Sequence, residues 1–312
     1  MSTAFFSHPA CRGHDMGAGH PECPQRLDAI ADHLRATGLD LFLDHQDAPL
    51  ATPEQLARAH ASNYVSQLAE RLRQVQDDGQ PRNLDPDTVA APGTLAAALR
   101  AAGAAVAATD AVIAGQVQNA FCAVRPPGHH ATRDETMGFC FFNNVAVAAR
   151  HALDVHGLER VAIVDFDVHH GNGTEDIIAG DERVLMVSFF QHPLYPYSGA
   201  VPKGPNMVNV PVDPYTRGAA VRQAITDHWM PALERFRPQM IFISAGFDAH
   251  REDDLGQLAL VEDDYAWITK QLVDVAERHA GGRVVSCLEG GYSLSALARS
   301  VAAHLRVLAD VA

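Results

Sequence analysis

The segment Asp165–Gly173, DFDVHHGNG, sets two aspartates and a histidine at i, i+2 and i+4: Asp165, Asp167 and His169. The apolar run Val161–Val164 before it reads as a buried strand, so while that strand lasts the three side chains share one face. Two neighbouring carboxylates at the end of an apolar strand repel each other unless a cation or proton donor offsets them. An Asp-x-His pair completed by a carboxylate from another loop gives three protein ligands and one open position. That is the pattern of a catalytic zinc ion, whereas structural zinc is closed by four protein ligands. Asp248, in SAGFDAH, is the natural third ligand. Taken alone, the segment fits helix capping by the aspartates and a packed histidine about as well.

Other segments carry groups suited to proton transfer. RPPGHH places His129 and His130 behind Pro-Pro-Gly, which rules out helix there, and imidazole titrates near neutral pH. The plain alternative is a solvated loop pair. LEGGY ends at Tyr292 after two glycines that permit a tight turn. A phenol beside a metal can donate to an oxyanion, although a lone tyrosine is more often half-buried core. In the His169–His170 pair one ring suffices as ligand, and His170 is read as structural. Cys11, His14, His20 and Cys23 spell C-x2-H-x5-H-x2-C, but the central spacing is too tight for a zinc finger. That segment reads as a loop bordering the site.

These groups need a scaffold that gathers them. Short, continuously apolar runs occur at Ala120–Val124, Val161–Phe166, Val184–Phe190, Met240–Ser244 and Val284–Leu288. Helical periodicity fills Asn144–His156, Thr216–Phe236, Asp263–His279 and Leu294–Leu308. Strands apolar on both faces and separated by helices describe a mostly parallel sheet covered on both sides. The first 115 residues read as mostly helical (Pro24–Ala36, Pro53–His60, Tyr64–Gln76, Pro92–Ala114), with Pro193–Pro214 as loop. The expectation is one three-layer α/β/α domain over residues 1–312. In such sheets ligands bind beyond the carboxyl ends of strands, and four strand ends here carry His, Asp or Tyr.

Composition narrows the partners. Lys and Arg number 24 against 38 Asp and Glu, a net charge of −14, which opposes nucleic acid and anionic membrane surfaces and suits a cationic or neutral substrate. The Ala-rich run after Arg100 is broken by Asp110, so no membrane span is expected. MSTAFFSHPACRGHD lacks a basic start and apolar core, and five cysteines form no disulfide framework. Both point to the cytoplasm.

HPECPQRL, RPPGHH, GFCFFNNVA, DFDVHHGNGT, SAGFDAH and LEGGY follow one another in an order that resembles the zinc-dependent histone deacetylase superfamily, across roughly residues 5 to 300. That superfamily includes bacterial histone-deacetylase-like amidohydrolases and acetylpolyamine amidohydrolases, and shares its fold with arginase. Asn172 in place of an aspartate, and EGGY rather than a longer glycine run, are class II-like features. The resemblance implies one catalytic zinc on Asp167, His169 and Asp248. It implies a structural potassium ion held by Asp165, Ser188 and nearby carbonyls. His129 would pair with Asp165 and His130 with Asn172, and Tyr292 would donate to the oxyanion. His130 is the favoured general base, although the sequence leaves the choice between His129 and His130 open. Gly138, Phe139, Tyr195 and Leu255 would line the substrate tunnel.

Leu255 stands where polyamine-selective members carry an acidic residue, which favours acyl-lysine-like or uncharged substrates, although Asp253 and Asp254 are adjacent. A hydrolase of acetylpolyamines or other small N-acyl amines is the main alternative. A non-catalytic acyl-lysine binder and an arginase-like manganese hydrolase are further ones. The resemblance is compatible with a homo-oligomer.

Overall fold

The computed structural model describes residues 2–311, so the two end residues of the expected 1–312 domain lie outside the described residues. The strands are β1 Thr3–Ser7, β2 Leu43–Asp47, β3 Arg82–Asn83, β4 Val89–Ala90, β5 Asn119–Cys122, β6 Val161–Asp165, β7 Val184–Gln191, β8 Met207–Val212, β9 Ile241–Ala245 and β10 Val284–Leu288. The helices are α1 Gln25–Ala36, α2 Pro53–Leu56, α3 Ser62–Asp78, α4 Thr94–Ile113, α5 Asn144–Asp154, α6 Asn172–Ile178, α7 Gly218–Ala224, α8 Met230–Phe236, α9 Glu262–His279 and α10 Leu294–Leu308.

Eight strands form one parallel sheet in the order β2-β1-β5-β10-β9-β6-β7-β8. Strands β3 and β4 make a separate antiparallel pair. α1, α10 and α9 pack together as one helical layer, and α3, α4 and α5 as the other. Every residue of β5, β6, β9 and β10 is buried, as a sheet covered on both faces requires. The three-layer α/β/α expectation therefore holds.

Several elements differ from the sequence reading. β1 and β2 lie in the stretch read as helical, and β8 in the stretch read as loop. The helix expected over Thr216–Phe236 begins at Gly218 and is interrupted by a π-helical turn, Ile225–Trp229, just before Pro231. Proline has no N–H and clashes with the carbonyl a turn earlier, and a widened turn relieves both. By length and composition α4 could cross a membrane, but 61% of its apolar window is buried inside the protein. Ala97, Ala98, Ala101, Ala102, Ala104, Ala105 and Ala108 are fully covered, so α4 reads as a core helix pressed against the sheet and α5.

Candidate active site

The four loops singled out in the sequence leave β5, β10, β9 and β6, which are consecutive neighbours at the centre of the sheet. Their carboxyl ends therefore open onto one place. β6 ends at Asp165, so Asp167 and His169 are aligned by a turn and not by the strand's two-residue period. The backbone N–H of Asp167 donates to Asp165 Oδ1 (3.1 Å), and that of His169 donates to Asp167 Oδ1 (2.9 Å). Asp248 comes from the loop after β9, and its Oδ1 accepts from the N–H of Val168 (2.9 Å).

These contacts bring one ligand atom each from Asp167, His169 and Asp248 within 4.8 Å of one another. His169 Nδ1 lies 3.1 Å from both Asp167 Oδ1 and Asp248 Oδ2. The donor set fits a metal, and so does the backbone around it. A Cβ at Gly246 would stand 2.0 Å from Asp167 Oδ2, and one at Gly290 would stand 2.1 Å from Asp248 Oδ2. Both positions must lack a side chain for the carboxylates to converge. Burial and the neighbouring Asp167 charge push the Asp248 carboxyl up to about 7. Burial opposes a charged His169, but hydrogen bonds from its ring to the two carboxylates raise it to about 10. Two buried carboxylates thus demand positive charge between them, which a divalent cation supplies better than one proton.

The histidine pair sits beside this cluster with rings 4.0 Å apart. Their surroundings differ sharply. His129 Nδ1 donates to Asp165 Oδ2 (3.0 Å), and its Nε2 lies 3.8 Å from Asp167 Oδ2. Burial disfavours a charged His129, yet Asp167 and Asp165 outweigh it and hold the ring well above the ordinary imidazole value. For His130, burial and the facing positive charges of His129 and His169 work together, and its pKa falls well below that value. Its Nδ1 donates to Asn172 Oδ1 (2.7 Å) while the Asn172 amide N–H faces Met137 Sδ, so His130 Nε2 carries a free lone pair. Ser188 stands opposite Asp165 in the β6–β7 register, and both are buried.

A cavity of about 250 Å³ leads to these groups, with His130, His169, Gly138, Phe139, Leu194, Tyr195, Tyr197, Leu255, Asp87 and Tyr292 in its walls. Phe139 holds a left-handed backbone (φ 69°), a strained conformation of the kind kept at functional sites. Its ring meets Tyr292 edge to face at 6.1 Å, and Tyr195 meets His130 likewise at 5.2 Å. All thirteen residues picked from the sequence thus cluster here, with Asp165 and Ser188 behind the cavity. Asp253 is turned inward, accepting from the N–H groups of Tyr292, Ser293 and Leu255, so Leu255 and not Asp253 faces the cavity. Cys11, His14, His20 and Cys23 form no ligand cluster among the described residues; His14 bonds Thr94 and His20 packs on Phe139.

Several positioning residues escaped the sequence reading. Glu289 Oε2 accepts from the N–H groups of Gly128 (2.6 Å) and His129 (3.1 Å), fastening the histidine loop to the end of β10. Arg26 donates to the carbonyls of Gly291 and Glu289, and its guanidinium lies 5.0 Å from the Tyr292 ring. Buried Glu22 accepts from both Arg26 and Arg125. Asp87 shapes the cavity wall by accepting from the N–H of Gly138 (3.0 Å). HPECPQRL and LEGGY contain three of these, but only tertiary contacts reveal what they hold.

Comparison with known proteins places the chain by family and fold. Residues 20–308 match the histone deacetylase domain. A histone deacetylase-like amidohydrolase of Pseudomonas aeruginosa is 41% identical, covering 93% of this chain and 82% of that one. Human polyamine deacetylase HDAC10 is 37% identical over 99% of this chain, which spans 48% of that longer protein. Among solved structures, the HDA15 HD domain superposes with a TM-score of 0.92 at 34% identity, covering 99% of this chain and 90% of that one.

Proposed function

The chain belongs to the histone deacetylase family, and from that premise we propose that it is a zinc-dependent amidohydrolase removing acetyl or other short acyl groups from lysine-like N-acyl amines. The observation that carries this reading is the convergence of Asp167, His169 and Asp248 at the foot of a cavity whose walls also hold His130 and Tyr292. Held by those three ligands, zinc supplies Lewis-acid polarisation of the amide carbonyl and a more acidic water.

The chain's own residues do the rest. Phe139, Tyr195 and Leu194 exclude water from the acyl-amine chain, and the cavity suits a slender substrate. Neutral His130 accepts the proton of the attacking water at Nε2, held in that tautomer by Asn172, and later returns it to the departing amine. His129, kept cationic by Asp165 and Asp167, supplies fixed positive charge as the tetrahedral oxyanion forms. The Tyr292 hydroxyl, too weakly acidic to ionise, donates to that oxyanion. Asp165 and Ser188, paired across β6 and β7, are the proposed potassium ligands together with backbone carbonyls. The cytoplasm is the proposed site of action, with one domain spanning the chain.

A second reading, hydrolysis of acetylpolyamines, is favoured by the Asp87 carboxylate in the cavity wall. Turnover of an acetyl-lysine peptide and of N-acetylputrescine, each measured with chelator and after zinc is restored, tests both readings. We expect chelator to abolish activity, zinc to restore it, and kcat/KM to favour the peptide. Leu255→Glu should narrow or reverse that preference. Full activity in chelator would overturn the metal assignment, and a preference for the polyamine would select the second reading.

A further inference from the structure

At the amino-terminal edge of the sheet, away from the catalytic cavity, three more metal-capable side chains meet. Asp110 sits in the last turn of α4, His151 in the last turn of α5, and His156 in the turn after α5. α5 starts at the catalytic end, where the Asn143 amide donates to the carbonyl of Ala131. Its 11 residues carry the chain about 16 Å away at the helical rise. His151 Nε2 and His156 Nε2 lie 2.7 and 2.6 Å from the same oxygen of Asp110, and the two rings meet edge to face at 5.2 Å. One ligand atom from each residue lies within 4.8 Å of the others.

The surroundings favour a cation. A carboxylate in the last turn of a helix sits at the negative end of the helix dipole, where it is unfavourable unless positive charge offsets it. The carboxyl end of α5 adds its own carbonyls to the same place. The chain carries a net charge of −14, so the general field also attracts cations. Two imidazoles and one carboxylate select a borderline divalent ion such as zinc or nickel over calcium or magnesium, which prefer oxygen ligands.

The geometry points to a second divalent-metal site on Asp110, His151 and His156, with water in the open positions, clamping α4 to α5 and independent of catalysis. Arg58 opposes it in part. Its Nη1 faces His151 Nδ1 at 3.3 Å, whereas a ligating His151 carries its proton on Nδ1, so this guanidinium turns aside when the ion binds.

The test is zinc content of the full chain after dialysis against micromolar zinc and gel filtration, with circular dichroism to verify folding. His156→Ala should lower the count by one ion per chain and leave deacylase activity unchanged. Asp110→Asn, at an exposed position, should do the same and serves if His156→Ala misfolds. Asp248→Ala should also lose one ion, and Asp248→Ala with His156→Ala should lose both. A zinc count that His156→Ala and Asp110→Asn leave unchanged would overturn the site. Failure of the catalytic metal assignment would show instead as an unchanged count in Asp248→Ala.

Discussion

Replacing Asn172 by aspartate asks whether His130 is the general base. In the wild type, the Asn172 amide oxygen accepts from His130 Nδ1 at 2.7 Å and brings no charge. A carboxylate there would put a negative charge about 4 Å from the centre of the imidazolium, worth about 4 kcal/mol at an effective dielectric of 20. That corresponds to about three pKa units at 1.36 kcal/mol each. Asn172 is partly exposed, so solvent screening reduces the expected shift to about one to two units. The sign follows from the role. A base must be unprotonated to work, and burial with the facing His129 charge keeps the wild-type pKa low. The acid limb of kcat/KM should therefore lie below the ordinary imidazole range and move up by about one to two units in Asn172→Asp. The assay is the pH profile of kcat/KM on an acetyl-lysine peptide with zinc content checked throughout. An unmoved acid limb in a zinc-loaded variant would refute the assignment of His130.

Tyr292→Phe removes one oxyanion donor and should lower kcat on the same peptide by about 10²–10³-fold while zinc content stays at the wild-type value; full turnover would take Tyr292 out of the mechanism. Gly290→Ala would force a Cβ to within 2.1 Å of Asp248 Oδ2, so elemental analysis should find the catalytic zinc lost from a protein whose far-ultraviolet dichroism is intact. Glu22→Gln strips two buried guanidiniums of their carboxylate and should cost about 3–5 kcal/mol in urea unfolding at pH 7. Burial opposes ionised Glu22, but Arg125, His14 and Arg26 hold its carboxyl down at about 2. Its stabilisation is therefore full above the unfolded carboxyl pKa near 4.5 and is lost as pH falls toward about 2. The gap between wild type and variant should narrow over that interval, and a constant gap would contradict the pairing.

The central strands and the ligand set were legible because each leaves a local mark. β5, β6, β9 and β10 are mostly apolar runs, each with a single polar residue, and the loops that follow them carry side chains too polar for a core. The edge strands leave no such mark. In β2 only Leu43 is buried and the rest is DHQD, and β8 carries Pro211, which a strand tolerates only at an edge. β1 lies inside the sheet and is buried over Thr3–Phe6, but TAFFS is apolar only at its centre and does not stand out as a strand. Asp165, Asp167 and His169 do come together, but not by sharing one face of a strand. The strand stops at Asp165, and backbone N–H groups donating to Asp165 and Asp167 set the turn. Glu22, Arg26 and Glu289 were missed because a buried charge looks like a surface one until its partners, more than 100 residues away in the case of Glu22 and Arg125, are known.

The metal centre is tested by a crystal structure of the zinc-loaded chain with anomalous data at the zinc edge. A single strong peak is expected at the foot of the cavity, bonded to Asp167, His169 and Asp248 at about 2.0–2.2 Å. No peak between those three residues, or two metals about 3.5–4 Å apart there, would contradict it.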